Sequence, residues 1–116
     1  MADKILVVDD DPDTVKFINI MLSRLGYTVV SATSGMEALE RVQAEHPDLI
    51  ILDVMMPQMD GYEVCRHIKA NPRTAHVPVV MLTARAQADS QVEAFRAGAD
   101  DYITKPVRPS ELIARV

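Results

Sequence analysis

Leu49-Ile50-Ile51-Leu52 is apolar at every position and is followed at once by Asp53. A strand with one wet face alternates apolar with polar residues; an unbroken apolar run of strand length fits the middle of a parallel sheet, covered on both faces. Beyond it comes a turn-rich stretch, Asp53-Val54-Met55-Met56-Pro57-Gln58-Met59-Asp60-Gly61. Val64, Cys65 and Ile68 then share one helical face, and Asn71-Pro72 breaks that helix.

Working toward the start, Lys4–Val8 (KILVV) is another apolar run of strand length, ending in Asp9-Asp10-Asp11-Pro12. From Pro12 the period changes, with Val15, Ile18, Leu22 and Leu25 on one helical face and Gly26 stopping the run. Tyr27–Ala32 (YTVVSA) reads as a strand. Ser34 precedes a helix carrying Ala38, Leu39 and Val42 inward and ending before His46-Pro47. Toward the end, Val77–Leu82 (VPVVML) reads as a strand with Pro78 near its start, where a missing donor is tolerable. Val92 and Phe95 mark a helix that ends at Gly98, Asp101–Thr104 (DYIT) a fifth strand, and Pro109-Ser110 the start of a last helix. Five strands alternating with five helices predict an α/β fold, a doubly wound parallel sheet with right-handed crossovers. The last helix has only about seven residues before Val116, short of the usual three turns. A single domain of 1–116 cut from a longer protein is the expectation.

The chain has 116 residues, with 17 Asp and Glu against 12 Lys and Arg, for a net charge of -5. That length makes one domain able to bury roughly two-thirds of its unfolded surface. A single cysteine, Cys65, excludes a disulfide framework and a cysteine-based zinc site. Its apolar runs are too short to span a membrane, and the opening Met1-Ala2-Asp3-Lys4 leaves no room for a signal peptide. An acidic chain with no Trp makes a poor nucleic-acid binder. A soluble, cytoplasmic domain is expected.

In open α/β sheets, ligands sit beyond the carboxyl ends of the strands, where strand order reverses. There the strands deliver Asp9-Asp10-Asp11, Asp53, Thr83 and Lys105, while the second ends blandly in Ser31-Ala32-Thr33. Crowded carboxylates want a cation, and oxygen ligands without His or Cys select a hard ion such as Mg²⁺. Thr83 and Lys105 offer a hydroxyl donor and a point charge suited to phosphate oxygens. The set reads as carboxylate, Mg²⁺ and phosphoryl group.

These stretches together resemble the response-regulator receiver domain of bacterial two-component systems, the CheY-like family. The resemblance rests on Leu6-Val7-Val8-Asp9-Asp10, on Asp53 through Gly61, on Leu82-Thr83-Ala84, on Gly98-Ala99-Asp100-Asp101-Tyr102 and on Lys105-Pro106. Each is weak alone; all five in order are specific. The resemblance implies sheet order 2-1-3-4-5, with two helices on one face and three on the other. It implies that Asp53 accepts a phosphoryl group from a phosphohistidine, on a sensor histidine kinase or a histidine phosphotransfer protein. Asp10 would bind Mg²⁺ (or Mn²⁺) directly, Asp9 more through water, and the Met55 carbonyl would complete the protein ligands. Thr83 and Lys105 would hold phosphoryl oxygens, Lys105-Pro106 would be cis, and Thr83 with Tyr102 would form the switch. Met55 and Arg85 match positions that tune phosphoryl lifetime. Gln87 through Val116 would carry the output surface, toward a C-terminal output domain or partner, with homodimerisation on phosphorylation as a further option. Neither nucleic acid nor membrane would be touched by this domain. Catalysis would be limited to the domain's own phosphorylation and dephosphorylation.

Plainer readings compete for single residues. Asp11 and Asp13 before and after Pro12 suit a helix start, and Asp60 suits a helix cap with Gly61 in a turn. Cys65 reads as a small core residue, His46, His67 and His76 as surface or structural, and the loop methionines as packing. Among whole-protein rivals, Asp11-Pro12-Asp13-Thr14-Val15 resembles the motif of a haloacid-dehalogenase-type phosphatase, but Lys105 follows the acidic pair and no cap domain fits. A nucleotide-binding module lacks its Gly-rich loop. A receiver-like interaction module without phosphate chemistry is disfavoured by the complete Asp9, Asp10, Asp53, Thr83 and Lys105 set.

Overall fold

The computed structural model describes residues 3–83 and 96–104. The elements run β1 (Lys4–Val8), α1 (Pro12–Arg24), β2 (Thr28–Ala32), α2 (Gly35–Glu45), β3 (Leu49–Asp53), α3 (Gly61–Ala70), β4 (Val79–Thr83) and β5 (Asp101–Thr104). All strand pairs are parallel, and the sheet order is β2-β1-β3-β4-β5, as the resemblance implies.

Alternation along each strand sends its side chains to two cores. Leu6, Val8, Ile50, Leu52, Val79 and Met81 pack with Ala38 and Val42 of α2 and Val64, Cys65 and Ile68 of α3. Ile5, Val7, Ile51, Val80, Leu82 and Ile103 pack on the other face with Ile18 and Leu22 of α1. The fourth and fifth predicted helices fall largely or wholly outside the described residues, and so does the Lys105-Pro106 peptide.

The helix starts are where capping chemistry puts them. Asp11 caps α1 by accepting the Asp13 N–H at 3.1 Å, with Pro12 opening the helix. Ser34 accepts the Glu37 N–H at 3.1 Å, and Glu37 reaches back to the Thr33 N–H at 2.7 Å, a near-reciprocal cap. Asp60 caps α3 through the Glu63 N–H at 3.0 Å.

Strand boundaries shift slightly from the sequence reading. Tyr27 donates its N–H to Leu22 O and so closes α1 rather than opening β2. Val77 donates to Thr74 O in a turn, so β4 starts after Pro78 and extends through Thr83. The local turn claims Val77 before the sheet can.

Candidate functional site

The register of β1 on β3 brings the carboxylates together. Val8 pairs with Leu52, so the next residues, Asp9 and Asp53, are neighbours at the carboxyl edge. Each follows by two a residue of the α1-side core, Val7 and Ile51, and so shares that face. Asp9 is 0% and Asp53 2% exposed, while Asp10 lies on the surface. One oxygen from each of Asp9, Asp10 and Asp53 can be chosen so that all lie within 4.8 Å of one another. Among the described residues no other trio of acids, histidines or cysteines comes so close.

Local bonds hold this corner. Asp9 donates its N–H to Ala32 O at 3.2 Å and accepts the Asp11 N–H on Oδ1 at 3.0 Å. Val54 donates to Leu82 O at 2.9 Å, tying the residue after Asp53 to β4. Charges at about 4 Å repel by about 1–4 kcal/mol per pair, depending on how wet the pair is. Two buried carboxylates beside an exposed third form an all-oxygen donor set open to solvent on one side. That chemistry fits Mg²⁺, which keeps several waters and takes one or two carboxylates.

Thr83 ends β4 at the same edge and is 6% exposed. It pairs with Thr104, and Tyr102 pairs with Met81. Thr83 and Tyr102 therefore lie diagonally on one face of the β4–β5 pair, the face that packs toward α2 and α3. Tyr102 is half-buried there. Of the loop methionines, Met56 and Met59 pack as expected, but Met55 does not: it is 67% exposed, at the point where the chain leaves Asp53. Lys105, Pro106 and Arg85 lie outside the described residues.

The loop from Val54 to Gly61 closes on itself. Gly61 donates its N–H to Val54 O at 2.9 Å. A Cβ on Gly61 would lie 2.9 Å from both Asp53 C and Val54 Cα, and closer still to Asp53 O. The positive φ in this loop belongs to Gln58, at 70°, not to Gly61. Gly61 is thus a close-approach residue rather than the turn glycine the sequence suggested, and no sequence signal marked Gln58.

Asp11 stands apart from the cluster. Its oxygens accept the Asp13 N–H at 3.1 Å and the Thr14 hydroxyl at 2.8 Å, the work of a helix cap and not of a phosphatase nucleophile. His46, His67 and His76 are exposed. A cavity of about 280 Å³ between α2 and α3, lined by Leu39, Val42, Ile68 and Thr74, includes none of the carboxylates. No helix among the described residues is long and apolar enough to cross a membrane.

Comparison with known proteins agrees with this geometry. The profile of the response regulator receiver domain matches residues 5–116. The chain is 46% identical over 116 residues to the alkaline phosphatase synthesis transcriptional regulatory protein PhoP of Bacillus subtilis (strain 168), covering all of this chain and 48% of that protein. The chain therefore spans about half the length of the curated relatives it matches. A putative response regulator from Chloroflexus aurantiacus superposes with a TM-score of 0.95 at 38% identity, over 99% of this chain and 94% of that one. The receiver domain of a sensor histidine kinase from Pseudomonas aeruginosa PAO1, solved with a magnesium ion coordinated in its active site cleft, superposes at 0.90 with 33% identity, over 99% and 94%. Sheet order, clustered strand-end carboxylates and a profile match across nearly the whole chain carry one conclusion: this chain belongs to the response regulator receiver domain family.

Proposed function

We propose that this domain is a phosphoacceptor switch in which Asp53 takes a phosphoryl group from a phosphohistidine of a sensor histidine kinase or histidine phosphotransfer protein. Receiver domains serve generally as phosphoryl-transfer switches of two-component signalling. The observation that carries the reading for this chain is the meeting of Asp9, Asp10 and Asp53 within 4.8 Å. An Asp53 oxygen attacks phosphorus, the phosphorus–nitrogen bond to the donor breaks, and the imidazole leaves with a proton from solvent. Later attack by water returns the carboxylate and releases phosphate.

Asp10, Asp53 and the Met55 carbonyl would hold Mg²⁺, with Asp9 supporting it more through water. When bound, Mg²⁺ would supply charge neutralisation of the transferring oxygens; Mn²⁺ has the same oxygen preference. Asp9, held by Ala32 O and the Asp11 N–H, keeps the corner preorganised. Thr83 and Lys105 hold phosphoryl oxygens. The new group brings about -1.5 to -2 charge and three acceptor oxygens. Bonds made only in that state draw Thr83 toward it and let Tyr102 turn inward, and the 87–116 surface then reaches an output domain or partner in the cytoplasm. The domain assists only its own phosphorylation and dephosphorylation.

The test is labelling with radioactive acetyl phosphate and Mg²⁺. Wild type takes label, Asp53→Asn does not, and Asp11→Asn still does. Label that survives in Asp53→Asn and disappears in Asp11→Asn overturns the reading in favour of a phosphatase.

A further inference from the structure

At the edge of the sheet opposite the carboxylates, the Lys69 ammonium has an acceptor for each of its three hydrogens. It donates to Ala75 O at 3.2 Å, to Val77 O at 2.7 Å and to Asp100 Oδ2 at 3.0 Å. Its side chain is 19% exposed. Asp100 in turn grips β4: its Oδ2 accepts the Val79 N–H at 2.8 Å, and its own N–H donates to Val79 O at 2.9 Å. One carboxylate oxygen therefore takes both the cation and the first amide of β4. Gly98 makes the room. Its φ is 94°, and a Cβ there would lie 2.9 Å from Lys69 Cγ.

The consequence falls on β5. It is four residues long and, among the described residues, sits at the edge of the sheet, paired only to β4. A slip of one residue on such a strand would turn every side chain to the opposite face. The Asp100–Val79 exchange is the rung immediately before Val80↔Asp101, and the ladder counted from it sets Met81↔Tyr102 and Thr83↔Thr104. Lys69 restrains that rung from the end of α3 and from the loop entering β4.

We infer that Lys69 and Asp100 are positioning residues for the Thr83–Tyr102 pair: their clasp locks the amino end of β5, so that any rearrangement is taken up at the carboxyl end, beside the site. The switching role of that pair rests on the function proposed above; the locking of β5 does not. The clasp shares no bond with Asp9, Asp10 or Asp53.

Lys69→Met keeps the apolar stem and removes the donors, and Asp100→Asn keeps an acceptor for Val79 while removing the charge. Hydrogen exchange is read at the Tyr102 and Thr104 amides, which face β4, with the Leu6 and Val7 amides of β1 as internal reference. In Lys69→Met the β5 amides should exchange roughly tenfold faster relative to β1, the size expected for losing a charge-assisted bond. Asp100→Asn should fall in between. Labelling by acetyl phosphate should stay within about twofold of wild type, since neither side chain bonds the Asp9, Asp10 and Asp53 carboxylates. With Mg²⁺ and beryllofluoride, the shift of the Tyr102 ring resonances seen in wild type should shrink in Lys69→Met. Equal acceleration at β1 and β5 would mean general destabilisation only and would overturn the inference. Unchanged β5 exchange in both variants would do the same. If wild type takes no label at all, the proposed function fails while the exchange result still decides the clasp.

Discussion

Gly61 lies against the backbone of Asp53 so closely that no side chain fits between them, a Cβ coming within 2.9 Å of Asp53 C. The helix behind the loop and the proposed phosphoacceptor are therefore packed backbone to backbone. Gly61→Ala must push one away from the other, at a cost of about 1–3 kcal/mol for an overpacked site. Urea unfolding should show that loss, and labelling of Asp53 should slow markedly. Gly26→Ala is the control: φ is 94° there but nothing lies within 4 Å. It should cost about 1–2 kcal/mol of backbone strain and leave labelling unchanged.

Asp10→Asn removes one charge from a crowded trio. Without divalent ions the variant should melt a few degrees above wild type, because like charges destabilise the folded corner. With Mg²⁺ the order should reverse, since the ion binds only the folded protein and binds wild type more tightly. Thermal melts across a magnesium titration check both halves. A variant that gains as much from Mg²⁺ as wild type would exclude Asp10 as a ligand.

Asp11→Ala should cost about 1 kcal/mol, the usual loss of a helix cap, because Asp11 accepts the first-turn Asp13 N–H and the Thr14 hydroxyl. Its labelling rate should remain near that of wild type. Denaturant unfolding paired with acetyl phosphate labelling separates the structural role from a chemical one.

Burial pushes the Cys65 thiol up to about 11 from 9.0, only partly offset by the Lys69 charge nearby. A thiol held neutral when folded stabilises the fold below pH 9, where the unfolded chain is neutral too. That contribution is lost as pH climbs toward 11, because the unfolded thiol ionises first. Stability should therefore fall across that window in wild type and fall less in Cys65→Ala. Iodoacetamide at pH 8 should modify Cys65 only under denaturing conditions, as expected for a buried, protonated thiol.

Much of this architecture is legible in local stretches of the sequence. The unbroken apolar Leu49–Leu52, the Asp11-Pro12 and Ser34 starts and the Gly26 stop report local burial and local capping, which act within one or two helical turns. Cys65, on the apolar face of its helix in sequence, is buried in the core. The departures lie where local signals compete. Val77 goes to a turn rather than to β4, and Met55 of the Met-Met pair faces solvent while Met56 is buried. Gln58 adopts a left-handed backbone with no glycine to announce it.

The chain by itself determined that strand ends carry Asp9, Asp10, Asp53 and Thr83, because alternation and turn chemistry are written over short windows. Only the tertiary structure decided that Val8 pairs with Leu52 and so sets Asp9 beside Asp53, that Gly61 returns to touch that residue, and that Lys69 reaches Asp100 across 31 positions. Register and close approach arise when segments far apart in sequence bury their faces against one another. Local periodicity cannot specify which residue meets which.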